Sequence, residues 1–154
     1  MRNGQGRRVL VAWSLAIAAA VAGGCTGPDF NEIQGADFER EVLQADRPVL
    51  VDFYKENCPT CGLLEGTMNQ LKTEYGDRVK FVRFLTMTGL FQVPSPEIKD
   101  RYDIRYFPTA ILFVKGQERY RWPLDYNINN YREALDEVAP KPGASGAAAT
   151  GTSP

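Results

Sequence analysis

Between about residues 36 and 139 the chain alternates stretches in which apolar residues recur at helical spacing with shorter stretches in which they run together. Phe38, Val42 and Leu43 fall on one side of a helix over 37–45, with Asp37 placed to cap its amino end. Residues 48–54 are β-rich and mostly apolar, which predicts a buried strand. A long helix is expected over 59–75, with an apolar stripe of Leu63, Leu64, Met68, Leu71 and Tyr75. A second strand over 79–86, a short helix over 96–102 and a third strand over 110–115 follow. Gly116-Gln117 reads as a turn into a fourth strand over 118–122, and a closing helix over 127–138 points Ile128, Tyr131, Leu135 and Val138 inward. Strands alternating with helices, then a hairpin and a terminal helix, predict a three-layer α/β fold: a central mixed sheet flanked by helices on both faces. The first inner strand ends where the long helix begins, in the crevice at the strands' carboxyl ends where such sheets do their ligand chemistry.

The two ends of the chain follow a different pattern. Met1 to Arg8 is short and basic, Val9 to Ala22 is apolar, and Ala22-Gly23-Gly24 is a run of small residues before Cys25. This reads as an export signal over 1–24, too short to span a bilayer comfortably, since a spanning helix takes about 20 residues. Cys25 directly after Ala-Gly-Gly resembles the lipobox of bacterial lipoproteins, which implies lipidation of Cys25 and a tether over 25–35. Simple cleavage that leaves a free thiol is the plainer alternative. The expected location is the bacterial cell envelope, on the extracytoplasmic side of a membrane. From Pro140 onward the residues are small and turn-forming with no large apolar side chain, so 140–154 is expected to be a disordered tail.

With 44% apolar residues in 154, there is material for one core, expected over 36–139. The net charge of -1 includes Arg2, Arg7 and Arg8 of the signal, so the rest is mildly acidic and has no Lys/Arg cluster. Nucleic acid is therefore not an expected partner. Histidine is absent, which excludes Ser-His-Asp and Cys-His catalysis and removes the commonest metal ligand.

Cys58-Pro59-Thr60-Cys61 places two thiols one helical turn apart, the first at a helix start. Free N–H groups and the helix dipole there stabilise a thiolate, so Cys58 is the candidate nucleophile and Cys61 the deeper, resolving thiol. Pro59 suits the first helical position, where its missing N–H is not needed. Two other readings stand beside this one. Half of a zinc site would need ligands that the chain hardly has, and no metal is expected. A structural disulfide closing so short a loop removes little chain entropy.

Residues 36–139 resemble the thioredoxin family. The resemblance rests on Val49-Leu50-Val51-Asp52-Phe53-Tyr54 leading into Cys58, and on Tyr102-Asp103-Ile104-Arg105-Tyr106-Phe107-Pro108-Thr109 downstream. It implies a thioredoxin fold and a thiol-disulfide oxidoreductase that uses no cofactor and acts on protein disulfides. Asp52 would be a buried general base for Cys61, Pro108 would follow a cis peptide bond packed against the cysteines, and Pro59 and Thr60 would border the substrate. Arg83 falls where the family often has a basic partner for the acid; a solvated edge position is the alternative. Several positions depart from the family: Pro-Thr stands for Gly-Pro between the cysteines, Asn57 for a Trp, Gly66 for a kink proline, and 87–97 inserts residues before the proline motif. Trp122-Pro123 stands for a small glycine-containing loop, so Phe107 and Trp122 are candidates for an apolar substrate contact; a place for both in the core is the alternative. The expected role is a reductase or electron relay fed by a membrane electron donor. An oxidase or isomerase, or a redox-inert binding module of the same fold, are the alternatives.

Overall fold

The structure, a computed structural model, describes residues 30–140. The export segment, Cys25, the first part of the tether and the tail beyond Pro140 lie outside the described residues. In chain order the elements are β1 (Asn31–Ile33), α1 (Gly35–Phe38) continuing as a π-type turn (Glu39–Leu43), β2 (Val49–Lys55), α2 (Pro59–Tyr75), β3 (Lys80–Met87), α3 (Pro96–Arg101), β4 (Thr109–Val114), β5 (Gln117–Pro123) and α4 (Ile128–Val138). The sheet order is β1-β3-β2-β4-β5. Strands β1, β3 and β2 run parallel, while β4 and β5 are antiparallel to their neighbours. This is the expected mixed sheet between two helical layers.

Alternation along the strands divides the core in two. Leu50, Phe81, Ala110 and Leu112 face α2 and α4, where Leu64, Met68, Leu71, Tyr131 and Leu135 close over them. Val49, Val51, Phe53, Val82, Phe84, Ile111 and Phe113 face the other way, onto Phe38, Val42, Ile98 and Ile104. Lys115 (φ 51°) and Gly116 (φ 75°) form a two-residue hairpin turn with both residues left-handed, as the twist of a tight hairpin requires. The turn is therefore Lys115-Gly116, and β5 starts one residue earlier than the pattern suggested. A Cβ on Gly116 would lie 2.4 Å from the Leu43 carbonyl oxygen, so glycine is also required by this close approach.

Three other expectations are corrected. Residues 31–33, assigned to the tether, form an edge strand whose partner is β3. Only Ile33 of the three is buried, so the strand is held by pairing rather than by a pattern of its own. Asp37 does not cap the first helix. That helix starts at Gly35 after Gln34, whose carbonyl accepts from Asp37 N at 2.9 Å, and the Asp37 carboxylate pairs with Arg40. Leu63 is 52% exposed, and Thr67 and Cys61 occupy the inner face of α2 in its place.

Candidate active site

Strand β2 delivers the chain through a tight turn at Glu56 and Asn57, the latter left-handed (φ 56°), onto the amino end of α2. Cys58 is the N-cap of that helix and Pro59 its first residue. Cys58 and Cys61 are joined in a disulfide with their Cα atoms 5.3 Å apart. Cys58 is half-buried and Cys61 is buried, which gives one sulfur a route to solvent and keeps the other beneath it. The Cys61 backbone N–H donates to Cys58 Sγ at 3.2 Å, and Thr60 Oγ1 lies 3.4 Å from the same sulfur. In the reduced protein these groups and the helix amino end hold negative charge on Cys58.

The proline loop meets the cysteines from the other side. The Phe107-Pro108 peptide is cis, Pro108 is buried, and the Phe107 carbonyl oxygen lies 4.0 Å from Cys58 Sγ. Thr109 Oγ1 donates to the Tyr106 carbonyl at 2.7 Å, and Leu124 N–H donates to the Pro108 carbonyl at 2.8 Å, so the loop is tied on both flanks.

Asp52 is fully buried on the sheet face covered by α2. In register across the sheet stand Glu32, Arg83, Asp52, Ala110 and Trp122. Arg83 Nε donates to Asp52 Oδ2 at 3.2 Å, and its Nη1 lies 3.2 Å from Glu65 Oε2. The Tyr54 ring packs against the Arg83 guanidinium at 4.1 Å. Burial raises the Asp52 carboxyl to a pKa of about 7, against the opposing pull of Arg83, and Glu65 adds a small push in the same direction as burial. Asp52 Oδ1 has no hydrogen-bond partner among the described residues, so that oxygen is the one open to a proton. Arg83 is thus the partner of Asp52 and not a solvated edge residue. Glu65 and Tyr54 were not anticipated in this cluster, although Glu65 lies one helical turn beyond Cys61 and Tyr54 lies two residues after Asp52 on the same side of β2.

A family model described as Thioredoxin matches residues 29–137. The chain belongs to the thioredoxin family. Among its relatives, the thioredoxin of Rickettsia bellii is 33% identical over 89 residues, covering 58% of this chain and 79% of that protein. Thioredoxin 1 of Synechococcus elongatus is 33% identical over 85 residues, covering 55% and 74%. The chloroplastic M-type thioredoxin of Brassica napus is 32% identical over 87 residues, covering 56% of this chain and 46% of that protein. The crystal structure of Chlamydomonas reinhardtii thioredoxin f2 superposes with a TM-score of 0.63 at 18% identity, covering 74% of this chain and all of that one, and this likeness shows the fold. The chain is accordingly a thiol-disulfide oxidoreductase of the thioredoxin type.

Pro59 and Thr60 are exposed between the cysteines. Phe107 and Trp122 do not form the single contact expected of them. Phe107 packs into the cluster under α1 and α3, whereas Trp122 packs under α4, 4.6 Å from the Tyr131 ring and stacked on Tyr120. The strand pairing explains this, because Trp122 lies opposite Ala110, whose side chain points toward α2 and α4. Trp122 is partly buried and packs against the core on that face.

Proposed function

We propose that this thioredoxin-type domain works in the bacterial cell envelope, anchored by lipid on Cys25, and passes two electrons at a time to disulfides of other proteins. The observation that carries the redox reading is the Cys58-Cys61 disulfide on the amino end of α2, with a buried carboxyl of pKa about 7 beneath the same helix. In the reduced state the Cys58 thiolate attacks a substrate sulfur, forming a mixed disulfide and expelling the other substrate sulfur as thiolate. Asp52 takes the Cys61 proton on Oδ1. The Cys61 thiolate then attacks Cys58 Sγ, which releases the second substrate thiolate and restores the intramolecular disulfide. Substrate gains two electrons and the dithiol loses two. Outside the cytoplasm no cytosolic reductase reaches the oxidised form, so a membrane electron donor completes the cycle.

The test uses the full chain with insulin as substrate and a chemical reductant as electron source. The wild type should reduce insulin, Cys58→Ser should abolish reduction, and Cys61→Ser should accumulate the mixed disulfide. Wild-type activity in Cys58→Ser would overturn the redox reading. Intact mass of the protein from membranes should show a lipid-modified chain starting at Cys25; an unmodified chain removes the anchor.

A further inference from the structure

Residues 87–96, from the last residue of β3 to the first of α3, contain no charged side chain. The loop is fastened to Glu56 and packs against Asn57, the two residues before Cys58. Glu56 N–H donates to the Met87 carbonyl at 2.9 Å, and Gly89 N–H donates to Glu56 Oε2 at 2.6 Å. Gly89 lies so close that a Cβ there would stand 2.5 Å from Asn57 Nδ2. The loop also closes on itself, since Thr88 N–H donates to the Gln92 carbonyl and Thr88 Oγ1 accepts from Gln92 N–H. Its tip presents Leu90, 82% exposed, and Phe91, 78% exposed. A loop this well tied has no folding reason to hold two large apolar side chains in water, where each forgoes the gain of burial.

The surroundings show what the tip is near. The other large exposed apolar side chains among the described residues are Leu63, Tyr106, Leu124 and Tyr126. Leu63 lies two residues beyond Cys61. Tyr106 and Leu124 flank the proline loop through the hydrogen bonds of Tyr106 and Pro108 carbonyls, and the Tyr126 carbonyl accepts from Thr67 of α2. Leu63, Tyr106 and Leu124 are thus carried by the helix of the cysteines and by the flanks of the proline loop, and Leu90 and Phe91 stand on a loop tied to Glu56, two residues before Cys58.

We propose that Leu90 and Phe91 form a second docking contact for protein substrates, one that selects a disulfide whose flanking segment is apolar. The proposal rests on the oxidoreductase reading and names the partner class of that same site. A protein substrate is favoured over a lipid surface because the loop has no Lys or Arg to meet anionic headgroups. In addition, the parallel strands admit the chain at Asn31 from the end opposite to the one where β3 delivers Thr88.

The experiment compares two disulfide-linked peptides, one with Leu and Phe flanking the cysteine and one with Ser in their places. The full-length wild type should reduce the apolar peptide with a kcat/KM about tenfold higher, the factor that corresponds to partial burial of two such side chains. Leu90→Ser combined with Phe91→Ser should bring that ratio near one while leaving the Ser peptide, a small-molecule disulfide and the Cys58/Cys61 potential unchanged. Both residues are exposed, so the fold should survive, and a thermal melt checks it. No preference in the wild type, or a preference kept by the double variant, overturns the proposal and leaves the oxidoreductase reading intact. A wild type that reduces neither peptide removes both. Loss of binding to phosphatidylethanolamine–phosphatidylglycerol vesicles, or of self-association, in a double variant that keeps its peptide preference would assign the tip to a membrane or to a second copy.

Discussion

The two faces of the sheet are built from the same strands by strict alternation, yet they differ in kind. The face toward α1 and α3 is dominated by aromatic packing, with Phe38, Phe53, Phe84, Tyr102 and Phe113 rings at centroid separations of 5.2–6.3 Å. The face toward α2 and α4 is apolar at Leu50, Phe81 and Leu112, then becomes polar one step further along, at Asp52 and Arg83. That polar step lies under the helix that begins with the two cysteines. One face supplies stability without chemistry, and the other gives up some stability to hold an acid of adjustable charge below a disulfide.

The largest effect should come from breaking the apolar face. Phe84 is fully buried and contacts the Phe38 and Phe53 rings at 5.6 and 5.5 Å. Phe84→Ala leaves a cavity in that cluster and should cost about 3–5 kcal/mol in urea denaturation. If the faces are separable, a redox titration under conditions where the variant is folded returns the wild-type Cys58/Cys61 potential. A shifted potential would show that the aromatic cluster sets the active-site geometry as well as the stability.

The polar face should respond in the opposite sense. The Asp52 carboxyl keeps its proton up to about pH 7 in the folded protein but releases it near the usual 3.8 when unfolded, so folding takes up a proton between these values. This contribution to stability is complete below about pH 3.8 and is lost as pH rises through 7. Asp52→Asn keeps an acceptor for Arg83 and removes the charge, so it should gain on the wild type as pH rises, by a few kcal/mol at pH 8. The gain should vanish near pH 4. The same variant should slow resolution of the mixed disulfide about a hundredfold and flatten its rise with pH through 7. Equal pH dependence of melting in the two proteins would show that the acid carries its charge in both states.

Much of this was legible because the signals are local. The bounds of α2 follow from Pro59 at its start and a stripe running to Tyr75, and β2 to β5 fall within one or two residues of their expected limits. What was not legible depends on pairing between distant segments. Residues 31–33 have no strand pattern and become a strand only because β3 leaves an edge open. For Trp122 a docking contact and a core place are equally compatible with the local pattern, because its place on the sheet is set by the register of β5 on β4. Arg83 meets Asp52 only through the register of β3 on β2, which sets the two residues side by side. The loop at 87–96 could be seen as an insertion, but its attachment to Glu56 and its close approach to Asn57 are tertiary facts.

The smallest expected effect lies on the outer side of α2, the side that neither face uses. Gly66 sits in the interior of the helix, is exposed, and would place a Cβ with nothing within 4 Å. Glycine there adds backbone freedom to the unfolded chain and no contact to the folded one. Gly66→Ala should therefore stabilise the protein by up to about 1 kcal/mol in urea denaturation. Because the added methyl points to solvent, it should change neither the Cys58/Cys61 potential nor the reduction of a small disulfide. A loss of stability would mean that α2 needs flexibility at this turn. A loss of activity toward protein substrates alone would extend the docking surface from Leu63 down the outer side of the helix.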